Sequence, residues 1–173
     1  FDLNGVIHDA RAKVYDNPIA QKAIAAANPQ ELELELFNTI ASIILKIISA
    51  VSPRDTLILA VDGPAPLAKN QQQRGRREKA AREQSFSGSS ANTFDRNAIT
   101  PGTEFMIRLD RFIIRFLGRY RKYLPPKVVY SNHLVPGEGE HKIMDYYRDG
   151  TVNNETEGVH VLYGLDADLV MLS

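Results

Sequence analysis

The chain has 173 residues, 43% of them apolar, with 21 Lys+Arg balancing 21 Asp+Glu and no cysteine. One domain with its own core is expected. Disulfide scaffolds, thiolate nucleophiles and cysteine-held zinc are excluded, so any metal must take oxygen or histidine ligands. Lys46 interrupts the longest apolar run, Ile40 to Val51, which argues against the roughly 20-residue span a bilayer requires and against a signal peptide.

Bulk charge points to neither an acidic nor a basic partner, but the distribution is uneven. Six basic residues and one acid lie between Lys69 and Arg82, and the same ratio recurs between Arg108 and Lys122. The chain begins at Phe1 without a methionine and stops at Ser173 inside an apolar run. It is read as an excerpt of a longer protein.

In chain order, Asp2 stands where an upstream strand would end. The stripe Leu36, Phe37, Ile40, Ile43, Ile44, Ile47, Ile48 and Val51 predicts a helix from about Gln30 to Val51. Thr56 to Val61, bounded by Asp62-Gly63-Pro64, predicts a buried parallel strand. A basic helix is expected from Lys69 toward Gln84, and the Ser/Asn/Gly-rich stretch of about 85–98 predicts a mobile loop. Thr100-Pro101 reads as a cap followed by proline at the first helical position, opening a helix striped by Phe105, Met106, Leu109, Phe112, Ile113, Phe116, Leu117 and Tyr120. Beyond Pro125-Pro126 come a strand at Lys127 to Ser131, a helix at Gly137 to Tyr147, a polar loop at Gly150 to Gly158 and a strand at Val159 to Tyr163. Alternating strands and helices predict a single α/β domain with a mainly parallel central sheet flanked by helices.

The acids fall at strand ends. Asp62 closes its strand, Glu138 and Glu140 follow the next after a short loop, and Asp166 and Asp168 follow Val159 to Tyr163. Open α/β sheets bind ligands outside the carboxyl ends of their strands. A turn or a helix cap explains any one of these acids alone. Four strand ends all carrying acids point instead to a cation, because clustered carboxylates repel one another and lose hydration. All-oxygen ligands favour Mg²⁺ or Mn²⁺. Two such ions roughly 4 Å apart activate water and stabilise the leaving oxygen in phosphodiester hydrolysis. The carboxylates suggest a nuclease.

On a helix, Lys69, Gln73, Arg76 and Arg77 fall within an arc of roughly 100°. A solvated charged face explains such a run, and Glu78 to Arg82 is an ordinary i, i+4 pair. The face nevertheless starts seven residues after Asp62, and arginine forks with a lysine grip phosphate oxygens. His8 reads either as a satisfied structural histidine or as a base-stacking platform. His133, His141 and His160 are assigned no role.

Five ordered segments resemble the nuclease region of the XRN family of 5′→3′ exoribonucleases. They run from Phe1 to His8, Val61 to Arg77, Ile99 to Met106, Pro136 to Met144 and Gly164 to Leu172. The resemblance implies a PIN/flap-endonuclease-like core. It also implies a two-Mg²⁺ catalytic site built by Asp2, Asp62, Glu138, Glu140, Asp166 and Asp168, with Mn²⁺ as a possible substitute. The family's 5′-monophosphate pocket carries over to Lys69, Gln73, Arg76 and Arg77, and its base-stacking histidine to His8.

The function so implied is metal-dependent hydrolysis of single-stranded RNA bearing a 5′-monophosphate, releasing nucleoside 5′-monophosphates inside the cell, in cytoplasm or nucleus. A structure-specific 5′ DNA nuclease and a non-catalytic nucleic-acid-binding remnant are the alternatives. The family's catalytic region continues past Ser173 with a further metal-binding aspartate and an aromatic partner for His8. The excerpt alone is therefore expected to be inactive.

Overall fold

Four α-helices and two strands are assigned among the residues that the computed structural model describes, which are 1–16, 28–64, 75, 94–150 and 158–165. Helix α1, Leu3–Tyr15, is capped by Asp2, whose side chain accepts from the Asn4 amide. It buries Leu3, Val6, Ile7, Ala10 and Val14, an i, i+3, i+4 stripe. The sequence reading assigned no helix there. Asn4, Gly5, His8 and Asp9 interrupt its apolar residues, and the stripe emerges only when packing shows which positions face inward.

Helix α2, Pro29–Val51, begins with Asn28 as cap and Pro29 in its first turn, and ends on Ser52 in the left-handed region. Its inward residues are Leu32, Leu36, Phe37, Ile40, Ile44 and Ile48. By length and composition this helix is also apolar enough to cross a membrane, contrary to the expectation from uninterrupted runs. Lys46 breaks a run but barely lowers a window average. The stripe is nevertheless buried against α1 and the sheet as part of the main core.

Strands β1, Thr56–Ala60, and β2, Lys127–Ser131, pair in parallel from Thr56 opposite Lys127 to Ala60 opposite Ser131. Between them runs α3, Glu104–Arg119. Its cap is Thr103, whose hydroxyl oxygen accepts from the Met106 amide at 3.3 Å, and not Thr100 followed by Pro101 as expected. A second candidate cap three residues on explains the slip. On the outer side of α3, Arg111, Arg115 and Arg119 are exposed, while Arg108 makes two hydrogen bonds with Glu33 of α2, at 2.6 and 2.8 Å. Helix α4, Gly139–Arg148, follows β2. Residues 94–98 of the expected mobile loop include a short 3-10 helix, Arg96–Ala98; the rest of that loop lies outside the described residues.

The sheet is wider than its two named strands. Asp2 forms a parallel bridge with Ala60 on the edge of β1 away from β2, and the Ala60 amide donates to the Phe1 carbonyl at 2.9 Å. The Asp2 amide in turn donates to the Tyr163 carbonyl at 2.8 Å. Val159 to Tyr163, expected as a strand, thus lies beside Phe1 and Asp2 without the repeated bonding that defines one. Side-chain alternation along β1 divides two cores: Leu57 and Leu59 join the large cluster under α1, α2 and α3, while Ile58 and Ala60 join Ile143 of α4. Helices on both faces of a parallel sheet are the α/β architecture expected.

Candidate metal centre

The carboxyl end of the sheet gathers the acids around one residue, Gly139. Asp2 leaves the sheet beside Ala60, and Asp62 follows β1 by two residues. Glu138 occupies the cap position of α4 and Glu140 lies in its first turn. The Glu138 side chain makes no cap hydrogen bond. The Gly139 amide donates instead to Asp62 Oδ1 at 2.7 Å.

Asp2 closes in from the other side. A Cβ placed on Gly139 would lie 2.5 Å from Asp2 Oδ1 and 3.4 Å from the Ala60 carbonyl oxygen. Only glycine leaves room for the carboxylate to approach the helix start. Four of the six acids singled out in the sequence, Asp2, Asp62, Glu138 and Glu140, therefore meet at one helix N-terminus. Asp166 and Asp168 lie outside the described residues. Leu165 packs on Gly5 of α1, where a Cβ would stand 2.8 Å from Leu165 Cβ.

Burial makes this arrangement costly without compensation. Asp2 and Glu140 are 7% and 6% exposed. Ionised carboxylates so placed need cations, donors or both. The positive end of the α4 dipole and its first amide supply part of this. Asn4 supplies more: its amide donates to Asp2 Oδ1 at 3.1 Å, and its side-chain oxygen accepts from the Asp62 amide at 3.3 Å. One asparagine thereby ties together two acids that are 60 positions apart.

Ligand atoms of Glu138, Glu140 and His141 lie within 4.8 Å of one another. His141 Nδ1 stands 3.6 Å from Glu138 Oε2 and 3.7 Å from Glu140 Oε1. The donor set is carboxylate oxygen with one imidazole, and the glycine gap admits a third carboxylate. This fits a hard divalent cation such as Mg²⁺ or Mn²⁺. Glu140 and Glu138 are shielded, whereas His141 is open to solvent.

Lys142 is buried on the same helix. Its Nζ donates to the Val61 carbonyl at 2.7 Å and to the Asn132 carbonyl at 2.9 Å. Loss of hydration lowers its pKa, and the charges of Asp62 and Asp110 oppose that fall. Behind the loop, His133 is fully buried, with its Nδ1 accepting from the Gly102 amide at 3.0 Å. That bond leaves the proton on Nε2, which stands 3.4 Å from Asp110 Oδ2. Tyr130 donates its hydroxyl to the other Asp110 oxygen. Burial foremost, with the bond to Asp110, raises the Tyr130 pKa.

His8 is on α1, about 9 Å along the axis from Asp2 at 1.5 Å per residue. Its imidazole is exposed. Partial loss of hydration at its base on the helix foremost, then the charges of Arg11 and Arg96, lowers its pKa. Lys69, Gln73, Arg76 and Arg77 lie outside the described residues. Sequence reasoning missed Asn4, Gly139, His141 and Lys142. The Glu138-Gly139-Glu140 spacing carried a signal for the glycine alone, as a residue that admits close approach.

A family model described as the N-terminus of XRN 5′-3′ exonucleases matches residues 1–173. The chain is 36% identical over 188 residues to 5′-3′ exoribonuclease 1 of Schizosaccharomyces pombe, covering 99% of this chain and 13% of that protein. It is 37% identical over 203 residues to 5′-3′ exoribonuclease 2 of Neurospora crassa, covering 99% and 18%. Against 5′-3′ exoribonuclease 1 of Homo sapiens it is 35% identical over 187 residues, covering 99% and 10%. The chain thus spans less than a fifth of the length of each of these relatives.

Proposed function

The chain belongs to the XRN 5′-3′ exonuclease family, and from that membership we propose that it carries the carboxylate centre of a metal-dependent exoribonuclease acting on single-stranded RNA with a 5′-monophosphate. The observation that carries the reading is the meeting of Asp2, Asp62, Glu138 and Glu140 around Gly139. Asp2 caps α1 and Asp62 accepts the first amide of α4, but capping alone does not call for four carboxylates at one place, and a cation held between them would offset their repulsion.

In this reading Asp2, Asp62, Glu138 and Glu140 hold divalent ions, joined by Asp166 and Asp168. Bound Mg²⁺ supplies an activated water and charge neutralisation at the leaving oxygen. The chain's own residues do the rest. Lys69, Gln73, Arg76 and Arg77 hold the terminal phosphate by charge-assisted contacts, and His8 stacks on a base. A gripped 5′ phosphate sets the register of the strand, so each cut releases a nucleoside 5′-monophosphate. Loss of hydration foremost, then the charges of Arg11 and Arg96, lowers the His8 pKa, a shift that favours the neutral ring, and a stacking face requires no charge.

The test is turnover by the full-length protein of matched 5′-phosphorylated RNA, 5′-hydroxyl RNA and 5′-phosphorylated DNA, each with and without EDTA. Mononucleotide release from 5′-phosphorylated RNA that EDTA stops is the expected result. Preference for the 5′-phosphorylated DNA would favour the DNA-nuclease alternative, and binding without turnover would establish a non-catalytic remnant.

A further inference from the structure

Lys142 is 4% exposed, a rare place for a lysine. Its hydrogen bonds have a specific geometry. The last ladder bond between the strands is the Val61 amide to the Ser131 carbonyl, at 2.9 Å. One step beyond, the strands part, and a donor is needed for the next carbonyls. Lys142 Nζ reaches both the Val61 and the Asn132 oxygens. The first belongs to the residue immediately before Asp62; the second opens the loop that leads to Glu138.

The slot that admits this side chain is bordered by glycines. A Cβ on Gly63 would collide with the Val135 carbonyl oxygen at 1.7 Å and stand 3.2 Å from Nζ, while Gly137, at φ 103°, lies in ordinary contact with Cγ, 3.7 Å from where its Cβ would be. The Gly63 amide also donates to the Gly137 carbonyl at 2.8 Å, closing the loop over the lysine stem.

We propose that Lys142 is a positioning residue of the metal centre, whose ammonium clamps the diverging ends of β1 and β2 and so sets the distance between Asp62 and the Glu138–Glu140 pair. This rests on the reading of those acids as metal ligands. The ammonium binds main-chain oxygens and leaves cation coordination to the carboxylates. Ligand geometry must be held to about 0.5 Å, and a clamp one residue from Asp62 acts within that tolerance.

The experiment uses the full-length protein and two variants, Lys142→Met, which keeps an unbranched stem, and Lys142→Gln, which retains a neutral donor. Mn²⁺ binding is measured without RNA by paramagnetic resonance, and kcat and KM are measured on 5′-phosphorylated RNA. Residues supporting metal ligands are typically worth about 10- to 100-fold in affinity or activity. Lys142→Met should therefore weaken Mn²⁺ binding about tenfold and lower kcat by a similar or larger factor. KM for RNA should move less than about threefold, since the phosphate grip is assigned to other residues, and Lys142→Gln should fall between. Wild-type Mn²⁺ affinity and kcat in folded Lys142→Met would overturn the proposal. If Lys142→Met fails to fold, Lys142→Gln decides: unchanged Mn²⁺ affinity overturns the clamp and weakened affinity supports it. Wild-type protein that binds no Mn²⁺ would overturn the metal-centre reading itself.

Discussion

At Gly139 two demands compete. Alanine at an ordinary helix position is favoured over glycine by up to about 1 kcal/mol. Here the added Cβ would meet Asp2 Oδ1 at 2.5 Å, so either the carboxylate or the helix start must move. Gly139→Ala should forgo the helix gain, leave the midpoint of chemical denaturation unchanged or lower, and cut RNA turnover by about 100-fold, the scale on which displaced catalytic geometry acts. Full activity in that variant would show that Asp2 takes no part. His8 allows a second test at this scale. Its folded pKa lies below the ordinary imidazole value of about 6.5, so below about pH 6.5 the unfolded chain binds more protons and stability falls as pH falls. His8→Gln should flatten that part of the stability profile, measured by denaturant titration from pH 7 to pH 5. An unchanged slope would mean that His8 titrates alike in both states. Asp2, Asp62, Glu138 and Glu140 were legible in the sequence because acids at strand ends form a pattern. Asn4, Lys142 and His141 were not, because each acts through a contact distant in sequence or through its neighbours' geometry.

Among the elements, boundaries followed local chemistry wherever it was unambiguous. β2 matches its expected range, and α2 starts one residue before its own, because apolar periodicity and turn residues agree there. The start of α3 shows the opposite case. Thr100 and Thr103 both suit a cap, and the geometry of the preceding turn chooses: the Thr103 hydroxyl donates to the Ala98 carbonyl at 2.5 Å while its oxygen receives the Met106 amide. Thr103→Ala should cost about 1 kcal/mol, read as a lower denaturation midpoint with an unchanged m-value. Thr100→Ala should cost less. An equal loss at both positions would reject Thr103 as the cap. Helix α1 was not legible because its polar residues break the stripe, and Val159 to Tyr163 has strand composition but, among the described residues, a single ladder bond to Asp2.

For the molecule as a whole, helices cover both faces of the sheet and leave its carboxyl end as the place where acids collect. A cation bound there only in the folded state stabilises by mass action, by about 2.7 kcal/mol at one hundred times its dissociation constant. Thermal unfolding of the full-length protein should move up with added Mg²⁺ and return on chelation, whereas equal ionic strength of NaCl should not reproduce the shift. A melting curve indifferent to Mg²⁺ would reject the metal centre. The fold class was legible from alternating strands and helices. The order of neighbours was not: Asp2 lies between Ala60 and Tyr163, a placement that periodicity cannot reveal. That placement has a consequence for how the protein is made. Chain synthesis proceeds at about 5–20 residues per second, so on the order of ten seconds separate the emergence of β1 from that of Tyr163. Throughout that interval the segment bearing Asp2 presents a bare strand edge, open to pairing with other nascent chains. The neighbour that covers this edge therefore emerges about a hundred residues after the strand it completes, and until it docks the nascent edge stays open to mispairing.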